Sequence, residues 1–393
     1  MSQPVILSAC RTAIGTARKG TLRDTTAFEL APLIVTEAVR RSGLPVDVFD
    51  DVILGEVLAG GGAIARYAAL EAGLTDVPGV ALNRHCASGL TSIAMAAGSI
   101  AAGMDRAIVA GGVQCSSTSP VSRRRKPGTD DEWDDPWVSP THVSTADAPN
   151  MDMTITVGWS AAKSAGITRE EADAWALRSH RRAIRAIDDG QFVDEIVPVK
   201  VTARDGSVSI FEVDEHPRRT STAESLAKLK PLHPEIEGFS VTAGNASGVN
   251  DAASAVVVTS AELAAEHGLK LLAVIRGWAS VGVEPSLTGT APVPAIKKLL
   301  ERTGLTVADV DLWEINEAFA TVAVATTKLL GIDPELVNVQ GSGCSLGHPV
   351  AATGARMITS LINELRRRGG GIAVASMCAG GGMGSAMAIE VSA

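Results

Sequence analysis

The stretch Gly43-Leu44-Pro45-Val46 returns later in the chain as Gly304-Leu305-Thr306-Val307, and this repetition decides the fold. An amphipathic helical pattern precedes each copy, and a glutamate follows each copy at the same distance. A second correspondence occurs in the same order, because the course that begins at Asn83 resembles the one that begins at Asn338. Two matches in one order predict a duplicated unit of strands and helices.

Around the first copy, short apolar runs rich in β-branched residues alternate with alanine-rich stretches of helical period. They predict buried strands at residues 5–7, 52–54, 80–82 and 107–110, and helices at residues 28–41 and 89–102. The 39 glycines and the low aromatic content of 3% suit helices packed closely on a sheet. Buried strands joined by helical crossovers predict an α/β protein with a parallel or mixed sheet.

Between the two copies the character of the sequence changes. Residues 116–150 are polar and turn-rich, with an acidic, tryptophan-rich centre at residues 130–137, and they predict a loop. Thr168, with Glu171 three residues later, forms a capping-box pattern that begins a helix ending near residue 190. A charged strand pair at residues 197–213 and a basic helix near Lys228 follow. The predicted plan is one half, an insertion, and a second half.

The net charge of −9 argues against nucleic acid as a partner, because phosphate backbones need a broad cationic face. The basic run at residues 123–126 is either a solvated loop or a contact for an anionic ligand or a neighbouring subunit. Five scattered cysteines lack zinc-ribbon spacing, and no signal-peptide pattern, peroxisomal address or membrane-spanning apolar run is visible. We therefore expect a cytoplasmic protein with reduced thiols and no membrane partner.

The stretch Asn83-Arg84-His85-Cys86-Ala87-Ser88-Gly89-Leu90 joins a predicted strand to a predicted helix. A thiol at a helix N-terminus lies where free N–H groups and the helix dipole stabilise a thiolate. The small residues beside Cys86 leave room for an acyl group. The alternative is a buried cysteine that packs as a small hydrophobic residue.

Two further turns carry candidate groups. Glycine before and proline after His348 fix a turn that can aim the imidazole, although a structural histidine is the alternative. Cys378 ends an apolar strand and is followed by Gly380, Gly381 and Gly382, whose N–H groups can face a ligand as an oxyanion site requires. A plain glycine-rich turn is the competing interpretation.

The stretch Glu314-Ile315-Asn316-Glu317-Ala318-Phe319-Ala320 places an amide at the end of the second repeated strand. A buried Asn316 must be hydrogen-bonded, either to a positioned water or to backbone. All four candidate segments lie at strand ends or turns, where open α/β sheets gather their ligands. Together they supply a nucleophile, a base, an acid and an electrostatic stabiliser.

These four segments resemble the thiolase family, whose motifs are N-x-x-C-x-S-G, N-E-A-F-A, G-H-P and C-x-G-G-G. They stand here at residues 83–89, 316–320, 347–349 and 378–382. Weaker matches extend over nearly the whole chain. The resemblance implies a five-layered core of two βαβαβαββ halves and an inserted loop domain that binds coenzyme A. On that basis we expect a first half at residues 1–117, a loop domain at 118–248 followed by a return strand to about 265, and a second half at 266–393.

The resemblance also implies roles for single residues. Cys86 resembles the acyl-carrying nucleophile, His348 the base that deprotonates it, and Cys378 the acid/base at the α-carbon. Asn316 would hold a water that, with His348, stabilises the enolate oxygen, and the N–H groups of Cys86 and Gly380 would form an oxyanion hole. The positions implied to contact coenzyme A are Arg218, Ser225, Ala246 and Ser247, and those implied for the acyl pocket are Met151 and Phe319.

The implied function is thiolytic cleavage of a 3-ketoacyl-CoA, or the reverse condensation, with acyl-CoA and CoA as substrates. We expect no metal and no permanently bound cofactor. We also expect the chain to form a homodimer or a homotetramer. Three places depart from the family's usual pattern: residues 341–345, Ala351, and the stretch after Cys115. The first two bear on packing beneath His348, and the third bears on the acyl pocket or a subunit contact.

Three other functions are weighed against this one. A ketoacyl synthase that extends a malonyl unit would use one cysteine and two histidines, whereas Asn316 and Cys378 fit a thiolase. A thiolase-like protein that only binds acyl-CoA or lipid would be expected to lack a catalytic group. A metal site built from Cys344 and His348 lacks further matching ligands.

Overall fold

The computed structural model describes residues 2–59 and 63–392. Its strands are β1 (Pro4–Thr12), β2 (Gly15–Thr16), β3 (Phe49–Gly55), β4 (Gly79–Leu82), β5 (Ala107–Cys115), β6 (Arg124–Arg125), β7 (Trp133–Asp134), β8 (Ile196–Val197), β9 (Val199–Thr202), β10 (Val208–Phe211), β11 (Asn250–Ser260), β12 (Ala273–Gly282), β13 (Leu312–Ile315), β14 (Gly371–Ala379) and β15 (Met383–Val391).

Its α-helices are α1 (Ala27–Ser42), α2 (Ile64–Glu71), α3 (Ser88–Ala102), α4 (Ser160–Ala165), α5 (Arg169–Asp188), α6 (Ala223–Ala227), α7 (Ala261–Glu266), α8 (Pro292–Thr303), α9 (Ala320–Leu330), α10 (Gly343–Leu346) and α11 (Thr353–Arg368). Short 3₁₀ segments span Val46–Val48, Pro285–Thr290, Val307–Asp309 and Pro334–Leu336, and one π-helical segment spans Thr154–Trp159.

The strand order shows the duplication. The main path runs β13-β14-β15-β12-β1-β11-β5-β3-β4, so the order β1-β11-β5-β3 is repeated in mirror image by β12-β15-β14-β13. In both halves the last pair is parallel and the other two are antiparallel. The halves join where β1 pairs with β12, through Val5 opposite Val274 and Ile6 opposite Ala273. The predicted duplication is confirmed.

Alternation along the strands divides the interior into layers. Val5 of β1 belongs to a core formed with α1 and α2, whereas its neighbour Ile6 belongs to a central core that includes α3 and α11. In the second half Ala373 faces the same central core, and Val374 faces a third core with α8 and α9. Helix, sheet, paired helices, sheet and helix therefore form the predicted five layers.

The predicted strands and helices of the first half are confirmed, each with longer bounds. One equivalence is weaker than expected. β4 pairs with β3 over four residues, whereas its counterpart beside β13 is reduced to a single bridge between Trp313 and Val337. The following residue, Asn338, has φ of 52° and uses its side chain to hold the Ile315 backbone, so the strand ends there.

The insertion also differs from expectation in detail. The segment predicted as loop contains a short antiparallel strand pair, β6 and β7, with two residues in each strand. The capping box is confirmed, since Thr168 Oγ1 accepts from the Glu171 N–H at 3.2 Å and Glu171 accepts from the Thr168 N–H at 2.7 Å. The strand pair is confirmed as β9 and β10. The helix expected near Lys228 ends at Ala227, and the predicted domain boundaries remain a prediction.

Within the described part of the chain, no helix is long and apolar enough to cross a membrane.

Candidate active site

Cys86 lies in the turn between β4 and α3. His85 has φ of 47°, a left-handed conformation that a non-glycine residue adopts only where its surroundings enforce it. Ser88 fixes the turn: its Oγ accepts from the Arg84 N–H at 2.9 Å and donates to the His85 carbonyl at 2.7 Å. The turn therefore presents Cys86, which is half-buried, two residues before the first residue of α3.

The pKa of the Cys86 thiol is raised to about 11, because burial, which raises it, outweighs the N–H groups of Gly380 and of Cys86 itself, which lower it. The sequence favoured a thiolate stabilised by the helix end, but desolvation is the larger effect here. The free protein therefore holds a neutral thiol at pH 7. The two N–H groups that converge on the sulfur have the arrangement that an oxyanion hole requires.

Cys378 lies near the end of β14 and is 1% exposed. It packs in an apolar cluster with Ala318 and Phe319. Burial raises the pKa of its thiol, and the neighbouring Cys86 raises that pKa further. The second effect shows that the two sulfurs, far apart in sequence, share one site.

His348 and Asn316 face one another. Asn316 Nδ2 lies 3.4 Å from Nδ1 and 3.5 Å from Nε2 of the imidazole. Burial and, to a smaller extent, the positive charge of Arg356 together lower the pKa of His348 to about 3, so the ring is neutral at pH 7. Asn316 Oδ1 is buried without a hydrogen-bond partner among the described residues. An amide oxygen so placed can accept from a water or a substrate hydroxyl.

The close approach of α3 and α11 brings the cysteine turn and the histidine turn together. A Cβ atom at Gly89 would lie 2.7 Å from the Ala351 carbonyl oxygen, and one at Gly354 would lie 2.3 Å from the Leu90 nitrogen. Side chains at either position would force the helices apart. Ala351, which departs from the family's usual glycine, lies at this contact.

The residues predicted for coenzyme A fall in two places. Ala246 forms a bridge with Phe319, and the Ser247 N–H donates to the Ala318 carbonyl at 2.9 Å, so this segment borders the cluster around Cys378. Arg218 and Ser225 are exposed on the insertion, and the Ser225 N–H donates to the hydroxyl of Thr222, the N-cap of α6, at 3.1 Å.

The two residues predicted for the acyl pocket differ in environment. Phe319 is buried, whereas Met151 is 72% exposed in a turn before the π-helical segment. Phe319 therefore lies next to the second thiol, and the role of Met151 stays a prediction.

Sequence reasoning missed three residues that hold this arrangement. Asn250 Oδ1 accepts from the His348 N–H at 3.0 Å, and Thr353 Oγ1 lies 2.7 Å from His348 Nδ1. Glu317 is fully buried, and its carboxylate accepts from Trp175, Ser179, Asn338 and the Cys344 N–H. Thr353 and Glu317 stood beside predicted residues in the sequence, but only contacts across the fold reveal their partners.

Cys344, four residues before His348, is a packed interior residue. Cys344 is buried, and its Sγ lies 3.5 Å from the Asn245 carbonyl oxygen and 3.7 Å from that of Glu317. Among residues 2–59 and 63–392, no three His, Cys, Asp or Glu side chains are grouped so that they could hold a metal ion.

Comparison with known families and structures identifies relatives of this chain. Residues 4–262 match the family described as "Thiolase, N-terminal domain", and residues 269–391 match "Thiolase, C-terminal domain". The chain is 42% identical to an acetyl-CoA acetyltransferase of Escherichia coli (strain K12) over 403 residues, covering 99% of both chains. It is 42% identical to one of Rhizobium meliloti (strain 1021) over 399 residues, covering 99% of this chain and all of the other.

Two solved structures are also similar. The acetyl-CoA acetyltransferase of Bacillus anthracis has a TM-score of 0.89 at 41% identity, and human mitochondrial 3-ketoacyl-CoA thiolase has a TM-score of 0.90 at 36% identity. Each covers 100% of this chain and 99% of its own. With the duplicated five-layered fold and the paired thiols, these matches show that the chain belongs to the thiolase family.

Proposed function

We propose that this chain is an acetyl-CoA C-acyltransferase, which cleaves a 3-ketoacyl-CoA with CoA or catalyses the reverse condensation through an acyl-Cys86 intermediate. The observation that carries the proposal is the convergence of two thiols at one site. The N–H groups of Cys86 and Gly380 meet at the Cys86 sulfur, and Cys378 is near enough for the two thiols to interact electrostatically. Acyl transfer and proton transfer at carbon each need one such group.

In cleavage, the Cys86 sulfur attacks the 3-keto carbon while its proton passes to His348. With the thiol pKa raised and the imidazole pKa lowered, a free ion pair is unfavourable. Proton transfer is therefore coupled to the attack, when the negative charge moves to a carbonyl oxygen held by the two N–H groups. The bond between the α-carbon and the keto carbon then breaks.

The departing acetyl-CoA carbanion takes a proton from Cys378, with its enolate oxygen stabilised by His348 and a water on Asn316. The thiolate of Cys378 later recovers a proton from the incoming CoA thiol. The CoA sulfur then takes the acyl group from Cys86, and the departing Cys86 thiolate recovers its proton from His348. Each covalent bond formed is matched by one broken. In the condensation direction the same groups act in reverse order.

The substrates are proposed to lie along Ala246 and Ser247, which border Phe319. Arg218 and Ser225, on the exposed surface of the insertion, suit the nucleotide end of coenzyme A. Neither metal nor prosthetic group enters this reaction. The five cysteines are free thiols, and on that ground we place the protein in the reducing cytoplasm.

Self-association is proposed from the edge of the sheet. β4 is the last strand of the main path, so its outer backbone edge offers hydrogen bonds to a second strand. Val80 on β4 and Met95 on α3 are 40% and 50% exposed. Pairing of this edge between two copies would bury both side chains, which supports a homodimer, or a homotetramer built from two such pairs.

The test is turnover of acetoacetyl-CoA and longer 3-ketoacyl-CoAs with free CoA, measured in wild type, Cys86→Ala and Cys378→Ser. We expect Cys86→Ala to abolish turnover. Cys378→Ser is expected to lose carbon–carbon cleavage by roughly 10²-fold or more but to keep exchange of an acetyl group between CoA thioesters, which needs only Cys86. Full activity of Cys86→Ala would refute the mechanism. Acyl-CoA binding without turnover at every chain length would favour a non-catalytic acyl-CoA-binding protein.

A further inference from the structure

A cleft of about 790 Å³ lies between α5 and α6, and its lining includes none of the residues assigned above to the catalytic site. Its wall on α5 carries five arginines: Arg169, Arg178, Arg181, Arg182 and Arg185. Ala223 and Ala227 form the wall on α6, so no large side chain there fills the space. The acidic residues of the lining are Glu170, Asp173 and Glu335.

The spacing of the arginines on α5 places like charges side by side. Arg178 and Arg182 are four residues apart, as are Arg181 and Arg185, so each pair occupies one face on consecutive turns. Such an arrangement is unfavourable without a counter-charge, and the chain as a whole is acidic, with a net charge of −9. The cationic face is therefore a local feature rather than a result of overall composition.

The carboxylates of the lining neutralise only part of this charge. Arg169 is paired with Asp173 at 2.7 Å. A single carboxylate, that of Glu335, serves both Arg182 at 2.6 Å and Arg178 at 3.7 Å. Glu335 is itself 74% exposed, which weakens its attraction through solvent screening.

Arg181 and Arg185 are exposed and form no ion pair with any of the described residues. The charge of Arg181 is among the causes that lower the pKa of Glu224 on α6, but neither guanidinium group is held in an ion pair by a residue that the structure describes, so both can meet an anion that enters the cleft.

The cleft is an unfavourable environment for the positive charge of Arg178. Its guanidinium stacks at 3.8 Å on the Trp175 ring and donates to the Pro334 carbonyl at 3.0 Å. Burial lowers the pKa of Arg178, and the nearby charge of Arg182 lowers it further. A partly desolvated cation beside a second cation gains more from an arriving anion than a solvated surface arginine does.

We propose that this cleft binds a phosphate group of an anionic ligand. The hydrogen-bond donors to the phosphate would be Arg181 and Arg185, together with Arg178 and Arg182, which share the Glu335 carboxylate. Planar guanidinium groups in adjacent rows match the several oxygens of a phosphate better than single lysines would. Two ligands carry this chemistry: the 3′-phosphate of coenzyme A, and a free phosphorylated metabolite. Ser225, assigned to coenzyme A above, lies on the same short helix as Ala223 and Ala227.

The first experiment measures binding without turnover. Inorganic pyrophosphate and adenosine 3′,5′-bisphosphate are titrated calorimetrically into wild type, Arg181→Gln/Arg185→Gln, and the control Lys270→Gln/Lys297→Gln, at constant ionic strength. The control removes the same two charges from exposed positions outside the cleft. We expect saturable binding to wild type and control, and affinity weakened by about tenfold or more in the arginine variant.

A second experiment distinguishes the 3′-phosphate of coenzyme A from a free phosphorylated metabolite as the ligand of the cleft. This experiment rests on the proposed function. The KM for CoA is compared with that for 3′-dephospho-CoA in the same three proteins. If the cleft receives the 3′-phosphate, the arginine variant raises the KM for CoA to that for 3′-dephospho-CoA. If the ligand is a free phosphorylated metabolite, pyrophosphate binding is lost while both KM values stay unchanged.

The proposal is overturned if wild type shows no saturable binding of either probe, or if the arginine variant binds both as wild type does. Failure of the proposed function is a separate result. A protein without thiolase turnover whose pyrophosphate binding still depends on Arg181 and Arg185 retains the phosphate site.

Discussion

Nδ1 of His348 lies 2.7 Å from the Thr353 hydroxyl, which itself donates to the Pro349 carbonyl at 2.9 Å. A threonine hydroxyl has one hydrogen, and the carbonyl takes it. With the hydroxyl hydrogen on that carbonyl, Nδ1 carries the imidazole proton and donates to the hydroxyl, and we expect the lone pair on Nε2. In that arrangement the threonine selects the tautomer whose Nε2 can accept a proton from a thiol.

Thr353→Val should lower kcat by at least about tenfold, a part of the roughly 10²–10⁴-fold that a positioned base contributes. KM should change little, because Thr353 is buried behind the imidazole. Thr353→Ser keeps the hydroxyl and should keep most of kcat. Steady-state kinetics of the two variants decide the matter. Equal losses in both would assign Thr353 to packing alone.

The buried imidazole also makes stability depend on pH. The pKa of His348 is about 3 in the folded protein, against an ordinary value of 6.5, so the unfolded chain binds the extra proton between these values. Stability therefore falls as the pH falls below about 6.5. From pH 7 to pH 5 the loss from this residue should be about 2 kcal/mol.

His348→Gln removes the titration and should flatten the pH dependence of the unfolding free energy by that amount. Urea unfolding of wild type and variant at pH 7, 6 and 5 measures it. The comparison uses the change with pH in each protein, so a constant effect of the substitution cancels. Parallel curves would show that the folded and unfolded pKa values of His348 are alike.

The contact between α3 and α11 should tolerate no added side chain at Gly89. Gly89→Ala places a methyl group 2.7 Å from the Ala351 carbonyl oxygen, and we expect a loss of about 1–3 kcal/mol together with reduced turnover. Gly98→Ala on the same helix is the matched control, since its nearest neighbour is Trp278 at 3.7 Å. Higher helix propensity should make that control neutral or more stable by up to about 1 kcal/mol. Thermal unfolding measures the stability of both variants and of wild type. A Gly89→Ala variant as stable as wild type would contradict the close approach of α3 and α11.

Glu317 should stabilise the segment that carries Asn316. Its carboxylate accepts two hydrogen bonds on each oxygen, and an amide in Glu317→Gln would turn an N–H group toward other donors. We expect a loss of about 1–3 kcal/mol in urea unfolding and a lower kcat, whereas the exposed Glu301→Gln should change neither. Wild-type stability and kcat in Glu317→Gln would show that the segment is held by backbone contacts alone.

The residues proposed for catalysis were chosen from short motifs at strand ends and turns, and their roles came from the resemblance of these motifs to the thiolase family. Cys86, Asn316, His348, Cys378 and Gly380 needed no long-range information to be chosen. The residues that hold these catalytic residues in place could be identified only from long-range contacts. Asn250 meets His348 from 98 residues away, and Trp175 meets Glu317 from 142 residues away. No local pattern marks such pairs, because their partners are set by packing.

The sequence by itself determined the duplicated α/β architecture, since hydrophobic periodicity and turn residues act locally and recur in both halves. It also identified both thiols. Only the tertiary structure decided the protonation states of Cys86 and His348, because desolvation depends on every atom that surrounds a group rather than on its neighbours in the chain. In the same way, the cleft on α5 became visible only when folding placed α6 opposite its arginines.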